Sequence, residues 1–210
     1  MIPGSAAPIL LPVVAGGGLT IGQSYQGGYY AGTITYSLES WLGGGTPSYQ
    51  LIVAPKASGE ASTIKQYKAS ATCDGIRSNQ GSAQSFWDGY HNTYTSVIGG
   101  SGVHPAANYC QGLSIGGFSD WYLPSLEEAY LAFTNLLDLP DWQAGGSEEF
   151  EESGSSWYNG GFYWGSTGDD CDNTGTLGSA RGYTVPTRTK LNGMTKTESL
   201  WVRAIRRVAV

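Results

Sequence analysis

Charge is scarce in this sequence. Of 210 residues only 13% are Asp, Glu, Lys or Arg, and 17 acidic against 11 basic side chains leave a formal net charge of −6. A surface short of cations repels polyphosphate, so nucleic acid is excluded as the expected ligand. Histidine is scarcer still, with His91 and His104 alone. His104 precedes Pro105 at an expected helix start, which suits a structural or capping role, and His91 sits in a polar Gly-Tyr-His-Asn stretch that reads as solvated. Neither falls within a G-x-S-x-G elbow or an H-E-x-x-H pattern, and the sequence reads as non-enzymatic. The three cysteines, Cys73, Cys110 and Cys171, cannot all pair within one chain and form no closely spaced metal or redox pair. An odd count favours a reducing compartment. Cys110 shares a helical face with Ala106 and Leu113, which predicts a buried, inert thiol.

Long apolar runs are also missing. The first twenty residues contain one apolar stretch, but no Lys or Arg precedes it and Pro8 and Pro12 interrupt it, so neither a secretory signal nor a membrane span is expected. The side chains of Ile9, Leu10, Leu11, Val13 and Val14 cannot bury themselves. With the Gly16-Gly17-Gly18 hinge behind them, they predict an anchoring arm over residues 1–25 that docks on a neighbouring subunit, or as the alternative on the domain itself, ahead of a single domain over 26–210.

What the chain has in quantity is glycine and flat side chains: 32 Gly, 14 Tyr and 7 Trp. That composition predicts short strands, tight turns and long loops, in an α+β arrangement. Strands are expected over 27–34, 49–54 and 162–167, with Trp164 inside the last and turned to the core. A final strand is expected over 200–210, with Trp201, Arg203, Ile205 and Arg207 on one face and Val202, Ala204, Arg206 and Val208 on the other. Residues 56–104 read as loop, with at most a short helix near Thr93 to Val97.

A helix is expected over 104–113. A second runs over 126–136, because Ser125 and Glu128 have the spacing of a capping box and Leu126, Ala129, Tyr130, Phe133 and Leu136 form a stripe. Glu127 and Glu128 are assigned to capping rather than chemistry, and Trp121 to the core beside that helix. The oxygen-rich run Asp169, Asp170, Asp172 and Asn173 carries Ca²⁺ chemistry but lacks a full calcium loop, so a turn is the simpler reading and no cofactor is required. Trp87, Tyr90, Trp157 and Tyr158 lie in polar stretches, where their rings could stack on sugar faces.

An ordered series of motifs then emerges. Trp87-Asp88-Gly89 and Asn92-Thr93 are followed by His104-Pro105-Ala106-Ala107 to Cys110, and Gly116-Gly117-Phe118-Ser119-Asp120-Trp121-Tyr122-Leu123-Pro124-Ser125 comes next. Tyr163-Trp164-Gly165-Ser166-Thr167 and Val202-Arg203-Ala204-Ile205-Arg206-Arg207 complete it. Taken together over roughly residues 25 to 210, they resemble the collagen-like adhesin C-terminal domain family of phage and prophage tail proteins and bacterial surface adhesins. Gly165 departs from the family pattern, which has Ser there.

The resemblance implies a C-type-lectin-like fold: a twisted antiparallel sheet in which the N- and C-terminal strands pair, two packed helices, and long loops on one side. It implies a phage virion protein, a tail fibre or other surface-exposed component, that binds a host surface glycan or protein. Assembly in the host cytoplasm into a homo-oligomer, a trimer by preference, would follow. A purely structural decoration, collar or tail protein and a bacterial surface adhesin are the alternative expectations.

Overall fold

Leu51, Ile52, Val53 and Ala54 form a continuous apolar run without alternation, which asks for a strand covered on both faces. In the computed structural model, which describes residues 18–38, 43–70, 85–94, 103–152, 161–168 and 179–210, that is where the run lies. Strands β1 (Ser24–Tyr25), β2 (Gly28–Thr35), β3 (Ser48–Val53) and β9 (Ile205–Ala209) form an antiparallel sheet in the order β1-β2-β3-β9. Ile52 and Ala54 enter one core cluster with Tyr67, Cys110, Trp121 and Trp164. Leu51 and Val53 enter a second with Phe133, Leu136, Tyr163 and Tyr183. Leu19, Ile21 and Tyr25, placed with the arm from sequence, pack against these clusters.

The second cluster is closed by helix α4 (Leu126–Leu136). Its capping box is present as expected, with the Ser125 amide donating to Glu128 Oε2 at 2.8 Å and the Glu128 amide donating to Ser125 Oγ at 3.4 Å. Ala132 joins the buried stripe, while Tyr130 remains half-buried. In β2 the register slips between Tyr30 and Gly32, so Ala31 is an extra residue. Its carbonyl is taken by Asn135 Nδ2 of α4 at 2.8 Å, and Gly32 has a φ of 122°. The bulge therefore satisfies its displaced backbone group through the helix lying over it.

Helix α3 (Pro105–Gln111) is shorter than expected, with His104 at its N-cap but no side-chain cap bond. Residues 56–104 are more structured than their composition suggested. They hold the single-turn helix α1 (Lys56–Gly59), strand β4 (Lys65–Gln66) and helix α2 (Gly89–Tyr94), which includes Thr93 and Tyr94 of the expected short helix, the rest of which, 95–97, lies outside the described residues. Among the described residues there are thus four α-helices where two and at most a short third were expected. Strand β5 (Phe162–Gly168) pairs with a hairpin that sequence reasoning did not identify, β6 (Ser179–Thr184) and β7 (Thr189–Thr195), in an antiparallel sheet ordered β5-β6-β7.

The expected single C-terminal strand is divided, and the division joins the sheets. Strand β8 (Ser199–Leu200) pairs with β4. The Trp201 amide donates to Phe162 O at 2.9 Å, and Trp201 O accepts from the Trp164 amide at 3.0 Å. The Ala61 amide donates to Val202 O and the Ala54 amide to Ala204 O. β9 then pairs with β3, so the C-terminal strand meets the third strand of the chain and neither β1 nor β2. Residues 202–206 are buried on both faces of the segment.

Candidate functional site

Helix α2 is too short to stand alone, and local side chains together with one distant carboxylate hold its start. Ser85 Oγ accepts from the Trp87 and Asp88 amides at 3.2 and 3.0 Å, and Asp88 Oδ1 accepts from the His91 amide at 2.7 Å. The Gly89 amide donates to Glu128 Oε2 at 2.9 Å. A Cβ at Gly89 would lie 2.7 Å from Leu123 O and closer still to the Ser125 nitrogen and Glu128 Oε2, so only glycine fits. Glu128 Oε1 accepts from the Tyr122 hydroxyl at 2.8 Å, so one buried carboxylate caps α4, starts α2 and holds Tyr122. Burial pushes its carboxyl up, Asp88 adds to this, and Arg207 opposes it.

Arg207 completes the arrangement. Its Nη1 donates to Asp88 Oδ1 at 2.8 Å and to the Tyr36 hydroxyl at 3.0 Å, and its guanidinium lies over the rings of Tyr49 at 4.2 Å and Tyr90 at 4.9 Å. Trp87 stacks on Tyr36 at 6.2 Å, and Tyr90 lies 4.7 Å from Tyr94 and edge-on to Tyr122. Two of the four aromatic candidates, Trp87 and Tyr90, therefore share one half-buried patch with Tyr49, Tyr94 and the Arg207 pair. The patch offers ring faces, hydroxyls and a held guanidinium, which is chemistry for binding an amphipathic ligand. Sequence reasoning missed Tyr49 and Arg207 because they come from strands far from α2 in the chain.

Trp157 and Tyr158, the oxygen-rich Asp169, Asp170, Asp172 and Asn173, and the arm residues Ile9, Leu10, Leu11, Val13 and Val14 lie outside the described residues, as do Cys73 and Cys171. Among the described residues no group of three His, Cys, Asp or Glu could hold a metal, and no helix is long and apolar enough to cross a membrane. Cys110 is fully buried with a free thiol, and burial pushes that thiol far above its ordinary range. His104 is buried beside the Tyr67 ring at 6.0 Å. One sequence, Gly112-Leu113-Ser114-Ile115-Gly116, has the spelling of a nucleophile elbow. That elbow needs a strand before it and a helix after it. Here Gly112 is the C-cap of α3, Ser114 is exposed, and Ile115 bridges to Phe118 in a tight turn.

The other motif residues form a frame. The Ser166 amide donates to Pro124 O at 2.6 Å and the Leu126 amide to Thr167 Oγ1 at 3.0 Å. Tyr122 and Ile205 exchange both backbone bonds, and Arg206 forks onto Asp120 at 2.8 and 2.9 Å. Asn92 Nδ2 donates to Ser85 O at 2.7 Å and to Ser166 Oγ at 3.2 Å. Strand β5 can reach Pro124 because three of its residues, Gly165 to Thr167, stand opposite Arg181 alone in β6. A Cβ at Gly165 would lie 3.2 Å from Arg181 O and 3.4 Å from Pro124 O, a tight fit that glycine avoids.

Described residues flanking segments 71–84, 95–102 and 169–178 also bond to this frame or to one another. Ser85 O accepts from Thr167 Oγ1 at 3.0 Å, the Tyr67 hydroxyl donates to Ser166 O at 3.0 Å, and the Ala69 amide donates to Val103 O at 2.9 Å. Comparison of the chain with protein-family models, curated proteins and solved structures finds no match.

Proposed function

We propose that this is a surface-exposed phage virion protein, a tail fibre or related component, whose C-type-lectin-like domain binds a host surface glycan or protein without catalysing a reaction. The observation that carries this reading is the convergence of the motif segments. Pieces widely separated in sequence, 87–93, 120–125, 163–167 and 202–207, bond to one another as a largely buried frame, and described residues flanking three intervening segments bond to it or to one another. Motif residues spent on a frame leave recognition to what the frame presents, a common division of labour in loop-based binders. The aromatic patch of Tyr49, Trp87, Tyr90 and Tyr94 supplies a described part of that surface.

The N-terminal arm attaches the domain to other virion subunits in a homo-oligomer. The test is binding of fluorescently labelled protein to bacterial envelopes, with competing surface polysaccharide and with a calcium chelator. Saturable binding that polysaccharide displaces and that Trp87→Ala with Tyr90→Ala weakens is the expected result. Loss on chelation would assign a metal to the run Asp169 to Asn173. An oligomer that binds no candidate host would make the protein a structural virion component instead.

A further inference from the structure

We propose that Asn192 is a site of spontaneous deamidation, where the chain converts its own side-chain amide to a carboxylate. The described asparagines are Asn92, Asn108, Asn135 and Asn192, and only Asn192 is followed by glycine. A following residue without a Cβ lets its backbone nitrogen approach the asparagine Cγ. Both Asn192 and Gly193 are exposed on β7, an edge strand of its sheet.

The ladder is broken at this point. Ala180 pairs with Met194 and Gly182 with Leu191, so Asn192 and Gly193 together stand opposite Arg181 alone. That is a β-bulge, and Gly193 has a φ of 72° with nothing within 4 Å of where a Cβ would be. Independently of the backbone, Arg181 Nη1 donates to Asn192 Oδ1. A guanidinium on that oxygen draws density from Cγ and stabilises the oxyanion that forms there on attack.

The Gly193 nitrogen loses its proton to solvent base and bonds to Cγ. The bond from Cγ to the side-chain nitrogen breaks, and that nitrogen leaves as ammonia after taking up a proton. Water then opens the cyclic imide at either carbonyl to give aspartate or isoaspartate. One water is consumed and one ammonia released, with no change in oxidation state. The new carboxylate faces Arg181, whose guanidinium also lies 4.6 Å over Phe86, the residue before Trp87. Conversion therefore adds a negative charge beside the segment that carries the aromatic patch.

The experiment is incubation of the full folded chain at mildly alkaline pH, followed by tryptic digestion. Mass spectrometry follows the peptide Leu191 to Lys196 for exchange of amide for carboxylate, beside the same chain unfolded in urea. Conversion of the folded chain within about tenfold of the unfolded rate, or faster, is expected. Folded protein converting more slowly than that would overturn the site. Arg181→Gln is expected to slow conversion in the folded chain several-fold, with Arg181→Lys retaining part of the wild-type rate. If both variants convert at the wild-type rate while remaining folded by circular dichroism, the assignment to Arg181 fails.

Discussion

Arg203 and Arg207 lie close together near the end of the chain, yet they fasten different parts of the molecule under different conditions. Arg203 is completely buried and meets two carboxylates, Glu60 Oε2 at 3.1 Å and Glu148 Oε2 at 2.6 Å, with its Nε on Ala54 O at 2.7 Å and its guanidinium 5.0 Å from the Trp142 ring. Glu60 also accepts from the Tyr163 hydroxyl at 2.8 Å, and Glu148 from the Lys56 amide at 2.6 Å. Arg207 retains 15% of its side-chain exposure and meets one carboxylate, Asp88. The first cluster ties the acidic stretch at Glu148 into the core, and the second ties α2 and its aromatic residues to β9. Loss of Arg203 strands two nearly buried carboxylates, whereas loss of Arg207 strands one, Asp88. The Arg203 cluster should therefore govern stability, and the Arg207 cluster the order of the aromatic patch.

The largest expected effect tests the first half of that contrast. Arg203→Met strands two buried carboxylates and should cost about 3–5 kcal/mol in urea unfolding. Adding Glu60→Gln and Glu148→Gln should recover part of the loss, and a single-variant cost below about 1 kcal/mol would break the comparison. Arg207→Met removes bonds to a carboxylate and a hydroxyl and should cost about 1.5–3 kcal/mol. Hydrogen exchange distinguishes the two variants. Arg207→Met should lose protection over residues 85–94 while Gly146 to Glu152 stays protected, and equal loss in both segments would show a single shared network.

Neither cluster was legible in the sequence, and the reason is physical. Arg203 meets Glu60 across 143 residues and Glu148 across 55, separations over which no local pattern exists. Alternation along 200–210 put Arg203 on a strand face, but the segment is a strap covered on both sides. By contrast α4 was readable because its cap and its stripe are local, and β2, β3 and β5 because β-branched and aromatic residues crowd there. The β6–β7 hairpin went unread because Gly182, Gly193 and the exposed side chains of β7 leave no apolar alternation. Helix α2 was only partly placed because its start depends on Glu128, far along the chain. Of the candidate site, the aromatic residues Trp87 and Tyr90 could be read locally, while the arginine and Tyr49 beside them could not.

Titration sharpens the contrast further. Burial raises Glu128 above the ordinary 4.5, with Arg207 opposing, and burial likewise raises Glu60, with Arg203 opposing. A carboxyl raised by folding is bound to its proton more tightly in the folded chain. Its contribution to stability is complete below about 4.5 and is lost as pH rises through the folded value. The stability of wild type relative to Glu128→Gln should therefore fall as pH increases from the ordinary carboxylate range towards neutrality. Urea midpoints measured across that interval provide the check, and wild type gaining on the variant with rising pH would mean that the Arg207 cluster stabilises the anion overall.

The smallest effect is expected where burial is least. Arg188 donates to Asp138 at 2.6 Å, a bond as short as that between Arg203 and Glu148, but the two side chains are 41% and 69% exposed. Distance alone would rank the two pairs as equals. Solvent screening and the entropy of holding two long side chains reduce an exposed pair to about 0–1 kcal/mol. Arg188→Ala should therefore change the urea midpoint barely at all, and the little it does change should vanish in high salt. Arg203→Met should keep nearly its whole cost under the same salt, because ions do not reach a guanidinium with no exposed surface. A salt response of similar size in both variants would mean that water enters the Arg203 cluster, and the distinction between a buried fastening and a surface pair would then collapse.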